Sequence, residues 1–320
     1  MPNIDLPLRE LLAYKPELTR EPDFDAFWDK HLARSAAVPL NVRLTPQGFP
    51  ARLADVYEVV YDGVDGTPVH GWLVVPKRDV APRPLPAVVC YHGYSATREP
   101  VAALLKWTAL GVAAMSVDVR GQAGPTPDLA RYPQGAAVGW MTLGILDPNT
   151  YYYLNVYLDC VRAIDAVCSL PDIDPNRIAV CGASQGGGLT LAAAALDSRP
   201  KLAMPVYPFL CHFRRAVECH LDGPYDEIRK WFRRFDPQHR LEEQVYRTLS
   251  YFDGMNMAAR VRARTLMAIA LQDTVCPPST CFAAYHHLAG EKELRLYPDH
   301  GHEPLPSHDE EMMRFVEAYL

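Results

Sequence analysis

The stretch from Arg177 to Leu196, RIAVCGASQGGGLTLAAAAL, constrains the fold more than any other part of the chain. It reads as a short apolar strand (Ile178, Val180, Cys181), a sharp turn, and an Ala/Leu-rich run of high helix propensity. The turn, Gly182-Ala183-Ser184-Gln185-Gly186, fits the G-x-S-x-G nucleophile elbow. A serine that must meet both a base and a substrate carbonyl has to project from a tight corner. The residues two before and two after it then approach closely, and only glycine fits there. The helix that follows aims its free N–H groups at the place where negative charge develops. Without this chemistry the stretch would be an ordinary Gly-rich strand-to-helix turn with Ser184 as a cap.

The chain around this element has 320 residues, enough to bury one large α/β core. Apolar residues make up 49% and charged residues 22%, as in a soluble globular protein. The net charge of −6 is mild and spread out, which argues against nucleic acid or an acidic membrane surface as the main partner. No window holds the roughly 18 apolar residues of a membrane span. The N-terminal MPNIDLPLRELLAYKPEL has acids and prolines where a signal peptide has a basic start and an apolar core, so a cytoplasmic location is expected. The eight cysteines (90, 160, 168, 181, 211, 219, 276 and 281) include no C-x-x-C pair and mostly lie in apolar runs. Neither a disulfide framework nor a structural zinc is expected, although Cys276 and Cys281 are near enough in sequence to be compared.

Residues 1 to about 50 read as an N-terminal arm. An amphipathic helix starts at Asp23 with Phe24, Phe27, Trp28 and Leu32 on one face, and Pro39–Pro50 is read as irregular. Val56–Tyr61 and Val69–Pro76 are strand-like runs around an Asp65-Gly66 hairpin turn. Apolar strands follow at Leu85–Tyr91, Val112–Val119, Arg177–Cys181, Leu202–Tyr207, Thr265–Leu271 and Leu294–Tyr297. Helical runs fall at Val101–Ala109, Thr150–Ser169, Ser279–Leu288 and Glu310–Tyr319. Repeated βα units predict one α/β domain, with a mostly parallel twisted sheet and helices on both faces. The alternation stops over 210–262, which reads as a helical insertion, a lid or a subunit contact. Its basic run Arg229–Arg234 reads as a solvated helix face.

A serine hydroxyl is a weak nucleophile and needs a base within hydrogen-bond reach. Behind an elbow of this kind the partners follow in the order serine, acid, histidine. Asp273 falls in the loop after the Thr265–Leu271 strand, and His302 in the loop after the last strand. Ser184 would attack, His302 would move the proton, and Asp273 would fix the imidazole. His300 competes as base and Asp299, more weakly, as acid. His212, His220, His286 and His287 read as surface or interface residues. A metal cluster of His300, His302 and Glu303 lacks helical i, i+4 spacing and a third ligand. One oxyanion-hole N–H should come from Gln185, the residue after the nucleophile. The other should come from Tyr94 in the Tyr91-His92-Gly93-Tyr94-Ser95 loop, with the Tyr94 ring over the acyl pocket.

Three motifs together resemble carbohydrate esterase family 7, the acetyl xylan esterases and cephalosporin C deacetylases: Gly182-Ala183-Ser184-Gln185-Gly186-Gly187, Arg120-Gly121-Gln122 and His302-Glu303. Phe24–Trp28, Gly71–Lys77 and Asp273–Thr280 also resemble its members. The resemblance implies an α/β-hydrolase fold and removal of acetyl groups from small esters and short oligosaccharides. It implies a triad of Ser184, Asp273 and His302, with Tyr94 and Gln185 at the oxyanion hole. It further implies a homohexamer, a trimer of dimers with sites facing an inner chamber. Arg120 and Gln122 are expected to brace loops, and no cofactor or metal is needed. Ala123 and Ser95–Arg98 depart from the family pattern in loops that shape the pocket. The expected activity is therefore a serine acetylesterase. The alternatives are a serine peptidase of related fold and a non-catalytic binding module.

Overall fold

The computed structural model describes residues 4–133, 135–219 and 221–320. Its strands are β1 (Arg43–Pro46), β2 (Ala54–Asp62), β3 (Pro68–Pro76), β4 (Leu85–Tyr91), β5 (Ala113–Val117), β6 (Ile173–Ala183), β7 (Pro200–Val206), β8 (Arg264–Ala270) and β9 (Lys292–Tyr297). Its helices are α1 (Leu8–Leu11), α2 (Phe24–Ala36), α3 (Val101–Thr108), α4 (Tyr152–Cys168), α5 (Gln185–Leu196), α6 (Phe213–Cys219), α7 (Asp226–Phe235), α8 (Glu242–Ser250), α9 (Gly254–Ala258), α10 (Pro278–His287) and α11 (His308–Tyr319). The strands form one sheet in the order β1-β2-β3-β5-β4-β6-β7-β8-β9. The run from β5 to β9 is parallel, and β1, β2 and β3 join it antiparallel. The parallel strands β4, β5, β7 and β8, and β6 from Ile178 to Cys181, are largely apolar on both faces, as burial between two helical layers requires.

The strand order fixes where a site can form. From β4 the chain steps to β5 on one side, then crosses back to β6 on the other. Right-handed crossovers therefore put α3 on one face and α4, α5 and α10 on the opposite face. The reversal lies at β4 and β6, and the crevice beyond their carboxyl ends is where sheets of this type bind ligands. In register, Cys90 of β4 pairs with Cys181 of β6, and Tyr91 with Gly182. The loop after β4 and the turn after β6 thus emerge side by side.

Most sequence expectations locate an element to within a few residues. Pro39–Pro50 is a correction, because it contains β1. All four β1 residues are exposed, so no inward-outward alternation marked them as a strand; their order comes from backbone pairing with Tyr57–Val60 of β2. The 210–262 segment is helical, as expected, with α6 to α9. In α7, Ile228, Trp231 and Phe232 face inward while Arg229, Lys230, Arg233 and Arg234 stay in solvent. His286 and His287, read as surface or interface residues, are half-buried. Their Nε2 atoms lie 3.3 Å and 2.7 Å from the carbonyls of Leu11 and Pro16 and tie the arm to α10. His212 is likewise half-buried against Tyr14, and His220 lies outside the described residues. The arm is anchored by Trp28, whose buried indole N–H donates to the Tyr251 carbonyl at 3.0 Å. Among the described residues, no helix is long and apolar enough to cross a membrane.

His31 packs against Phe27 in α2, and His308 opens α11 beside Tyr297. Burial pushes both imidazoles down to a pKa of about 4. Both are neutral in the fold, whereas the unfolded chain binds their protons below about 6.5. Their contribution is complete above about pH 6.5 and is lost as pH falls toward 4, on the order of 3 kcal/mol per site. The urea midpoint should therefore drop steadily between pH 7 and pH 4.5. A midpoint unchanged over that range would contradict the burial argument.

Candidate active site

The turn after β6 holds Ser184 at φ +58° and ψ −121°, a left-handed backbone that L-residues seldom adopt. Neighbours hold it there. The Ser184 N–H donates to the Val206 carbonyl at 3.0 Å, and its carbonyl accepts from Gly188 at 3.1 Å and Phe209 at 2.9 Å. The corner is tight against β4. A Cβ on Gly182 would come within 2.5 Å of the Tyr91 carbonyl oxygen, and one on Gly186 within 2.0 Å. Helix α5 starts at Gln185 and runs fully buried, so its N-terminal N–H groups surround the serine.

Asp273 follows β8 and is fully buried. Its Oδ1 accepts the N–H groups of Val275 (2.8 Å) and Cys276 (2.7 Å), which leaves Oδ2 free to face His302 Nδ1 at 2.8 Å. The imidazole is partly exposed and packs on Tyr207, with ring centroids 4.9 Å apart. Tyr207 directly follows the residue that accepts the Ser184 N–H, and the Ser184 hydroxyl contacts the Cys276 thiol beside Asp273. Imidazole and carboxylate are thus paired, and the ring the imidazole packs on belongs to the residue next to the Ser184 N–H acceptor. His300 instead uses its carbonyl to accept the Gln272 N–H at 2.9 Å, with its ring beside Tyr297, and Asp299 is exposed. Among the described residues, the group of metal-ligating type is Asp273, Cys276 and His302, not His300, His302 and Glu303. All eight cysteines are free thiols, and the Cys281 sulfur sits near the Cys276 carbonyl rather than its sulfur.

The loop after β4 lies against the elbow. His92 accepts the Val119 N–H on Nε2 (2.8 Å) and faces the Gly93 carbonyl through Nδ1 (2.7 Å), an arrangement that places its proton on Nδ1. Burial lowers its pKa, so the ring stays a neutral brace. The Tyr94 ring is wedged between Trp140 and Phe209, at centroid distances of 5.2 Å and 6.1 Å. Its hydroxyl donates to Glu227 of α7 at 2.7 Å, and the other Glu227 oxygen accepts the Met141 N–H at 3.0 Å. Ser95 sits at φ +55°, a conformation glycine adopts without strain, and donates its N–H to Gln122 Oε1 at 2.9 Å.

Gln122 ties this loop to the elbow. Its Nε2 donates to Gln185 Oε1 at 2.9 Å, and that oxygen also accepts from Tyr153 at 3.0 Å. The Gln185 side chain is thereby locked, which fixes the direction of its backbone N–H. Arg120 lies deeper and is fully buried between Asp159 (2.7 and 2.9 Å) and Asp65 (2.8 and 3.2 Å). Burial alone would lower its pKa, but the two carboxylates outweigh burial and hold the guanidinium charged. Its carbonyl accepts the Tyr152 hydroxyl at 2.6 Å. Neither Arg120 nor Gln122 contacts Ser184, Asp273 or His302 in any described hydrogen bond. Glu227, His92 and Tyr207 were not singled out from sequence, and Cys276 was considered only as a candidate partner of Cys281. Cys276 and its proximity to Asp273 were visible in the motif, whereas Glu227 reaches Tyr94 across 133 residues.

The chain matches the family model described as acetyl xylan esterase (AXE1) over residues 1–319. An acetyl xylan esterase from Paenibacillus sp. R4 is 65% identical with a TM-score of 0.96, over 98% of this chain and 100% of that one. Acetyl xylan esterase 1 from Thermoanaerobacterium sp. JW/SL YS485 is 34% identical with a TM-score of 0.93, over 98% and 99% of the two chains. Acetyl esterase Axe7A of Xylanibacter ruminicola is 28% identical over 303 residues, 91% of this chain; the chain spans 66% of that relative's length.

Replacing Arg120 with Met leaves Asp159 and Asp65 without their buried counter-charge. Such a break costs about 3–5 kcal/mol. Urea denaturation of Arg120→Met should show a loss of that order, and a loss below about 1 kcal/mol would contradict the buried ion-pair assignment.

Proposed function

The chain belongs to the acetyl xylan esterase family, and we propose that it is a serine acetylesterase acting through an acetyl-enzyme on Ser184. The observation that carries this reading is the 2.8 Å contact between Asp273 and His302, together with the left-handed corner that holds Ser184 at the start of α5. Asp273 Oδ2 accepts a hydrogen bond from the N–H at His302 Nδ1, which leaves the Nε2 lone pair as the base. The Ser184 oxygen attacks the acetyl carbonyl while its proton passes to Nε2. The tetrahedral oxyanion is held by the N–H groups of Gln185 and Tyr94. His302 then protonates the departing sugar oxygen, leaving acetyl-Ser184. Water enters, gives its proton to His302 and attacks the acetyl carbon; acetate leaves and Ser184 recovers its proton.

Substrates on this reading are small acetylated compounds: xylo-oligosaccharides, other acetylated sugars and cephalosporin C. Support for acetylated sugars comes from the names of the similar enzymes; cephalosporin C draws on the family resemblance, and a limit on acyl length is drawn from the Tyr94 ring, fixed between Trp140 and Phe209. Assembly as a homohexamer belongs to the same proposal and draws on the family resemblance and the aromatic-rich insertion. Every step is supplied by side chains and backbone N–H groups of the chain itself.

Ser184→Ala should reduce p-nitrophenyl acetate hydrolysis by at least about 10⁴-fold while circular dichroism stays native. Turnover within about tenfold of the native enzyme would overturn the proposal. Glu227→Ala removes the acceptor that holds the Tyr94 hydroxyl. Its butyrate-to-acetate rate ratio should rise about tenfold as the ring loosens over the acyl pocket. An unchanged ratio would remove Tyr94 from the control of acyl length.

A further inference from the structure

Cys276 has no part in the reaction just derived, yet it sits inside the reacting group. Its N–H donates to Asp273 Oδ1 at 2.7 Å, which folds the Asp273–Pro278 loop so that the thiol turns in beside the carboxylate. The side chain is fully buried. One donor atom each from Asp273, Cys276 and His302 lies within 4.8 Å of the others. The cluster joins an oxygen, a sulfur and a nitrogen donor on two loops, after β8 and after β9.

We propose that Asp273, Cys276 and His302 form a binding site for a thiophilic divalent cation such as Zn²⁺, and that its occupancy switches the enzyme off. The inhibition rests on the acetylesterase reading, whereas the binding does not. The donor set is the mixed sulfur, nitrogen and oxygen type that zinc accepts and that Mg²⁺ and Ca²⁺ do not. Tetrahedral zinc, with bonds of about 2.0–2.3 Å, sets its ligand atoms roughly 3.3–3.8 Å apart. The cluster is thus within roughly an ångström of that geometry, and His302, on a loop with 26% of its side chain exposed, is the member free to close it. A carboxylate and a thiolate together cancel the charge of the ion, which is the condition for holding it in a buried place. Water or the Ser184 hydroxyl fills the remaining position.

On binding, the S–H bond breaks, a sulfur–metal bond forms, and one proton leaves to solvent. The ion takes the Nδ1 that faces Asp273, the proton that Nδ1 carried moves to Nε2, and the lone pair that Ser184 needs as its base is lost, so inhibition follows without any change of fold.

The test uses chelator-treated, desalted full-length protein, with Co²⁺ as a spectroscopic probe and Zn²⁺ as the inhibitor. Native protein with Co²⁺ should show a near-ultraviolet thiolate-to-cobalt charge-transfer band that Cys276→Ala lacks. Zn²⁺ should inhibit p-nitrophenyl acetate hydrolysis with a midpoint about tenfold or more lower for the native chain than for Cys276→Ala, each normalised to its own metal-free rate. EDTA should restore the native rate, and Mg²⁺ should leave it unchanged. Cys276→Ser keeps the shape with a poorer donor for these ions and should behave as Cys276→Ala does. A native chain without the cobalt band, or equal zinc midpoints across the three proteins, overturns the site. The band needs no substrate, so a chain that binds Co²⁺ through Cys276 but hydrolyses no ester would sink the acetylesterase reading and leave the metal site standing.

Discussion

The close approach of two strand ends governs the rest of this molecule. The carbonyl of Tyr91 at the end of β4 lies where side chains on Gly182 and Gly186 would stand. That contact bends the chain after β6 into the left-handed corner at Ser184 and starts α5 one residue later. A corner this tight costs about 1–3 kcal/mol of backbone strain. It persists because three backbone hydrogen bonds and a fully buried helix hold it from different sides. Relaxing it would turn the hydroxyl away and spread the free N–H groups that surround it.

Beyond the corner, the site is stiffened by polar side chains buried in pairs. Gln122 reaches both Ser95 and Gln185, so the loop after β4 and the first turn of α5 share one brace. Arg120, with its two carboxylates, anchors the strand end from which Gln122 departs. Glu227 joins α7 of the insertion to Tyr94, which makes the insertion a wall of the site and not a detached ornament. Asp273 shows the same economy: one oxygen shapes its own loop and the other orients His302. Positional accuracy in the site thus comes from hydrogen-bond closure at every buried polar atom involved.

Much of this was legible in the chain itself. The elbow has a fixed spacing because its physics is local, and the strands β4 to β8 announce themselves as continuous apolar runs between polar breaks. Asp273 and His302, which the structure pairs at 2.8 Å, were proposed as partners of Ser184 because each follows a strand in the order an α/β-hydrolase fold uses. β1 was not legible, since an exposed edge strand draws its order from a partner's backbone and carries no pattern of its own. Glu227 was hidden for a different reason. It looks like one more acid on a charged helix, and only the tertiary fold reveals that it faces inward to Tyr94 and Met141. The partners of the α10 histidines were hidden for the same reason, because they are carbonyls of the distant arm.

The central claim is that Ser184 is made nucleophilic by His302, itself held by Asp273. A serine-directed fluorophosphonate, followed by peptide mapping with mass spectrometry, tests this most directly. The account predicts a single adduct on Ser184 in the native chain and almost none in His302→Ala under the same conditions. An adduct on another residue, or equal labelling of Ser184 without the imidazole, would contradict it.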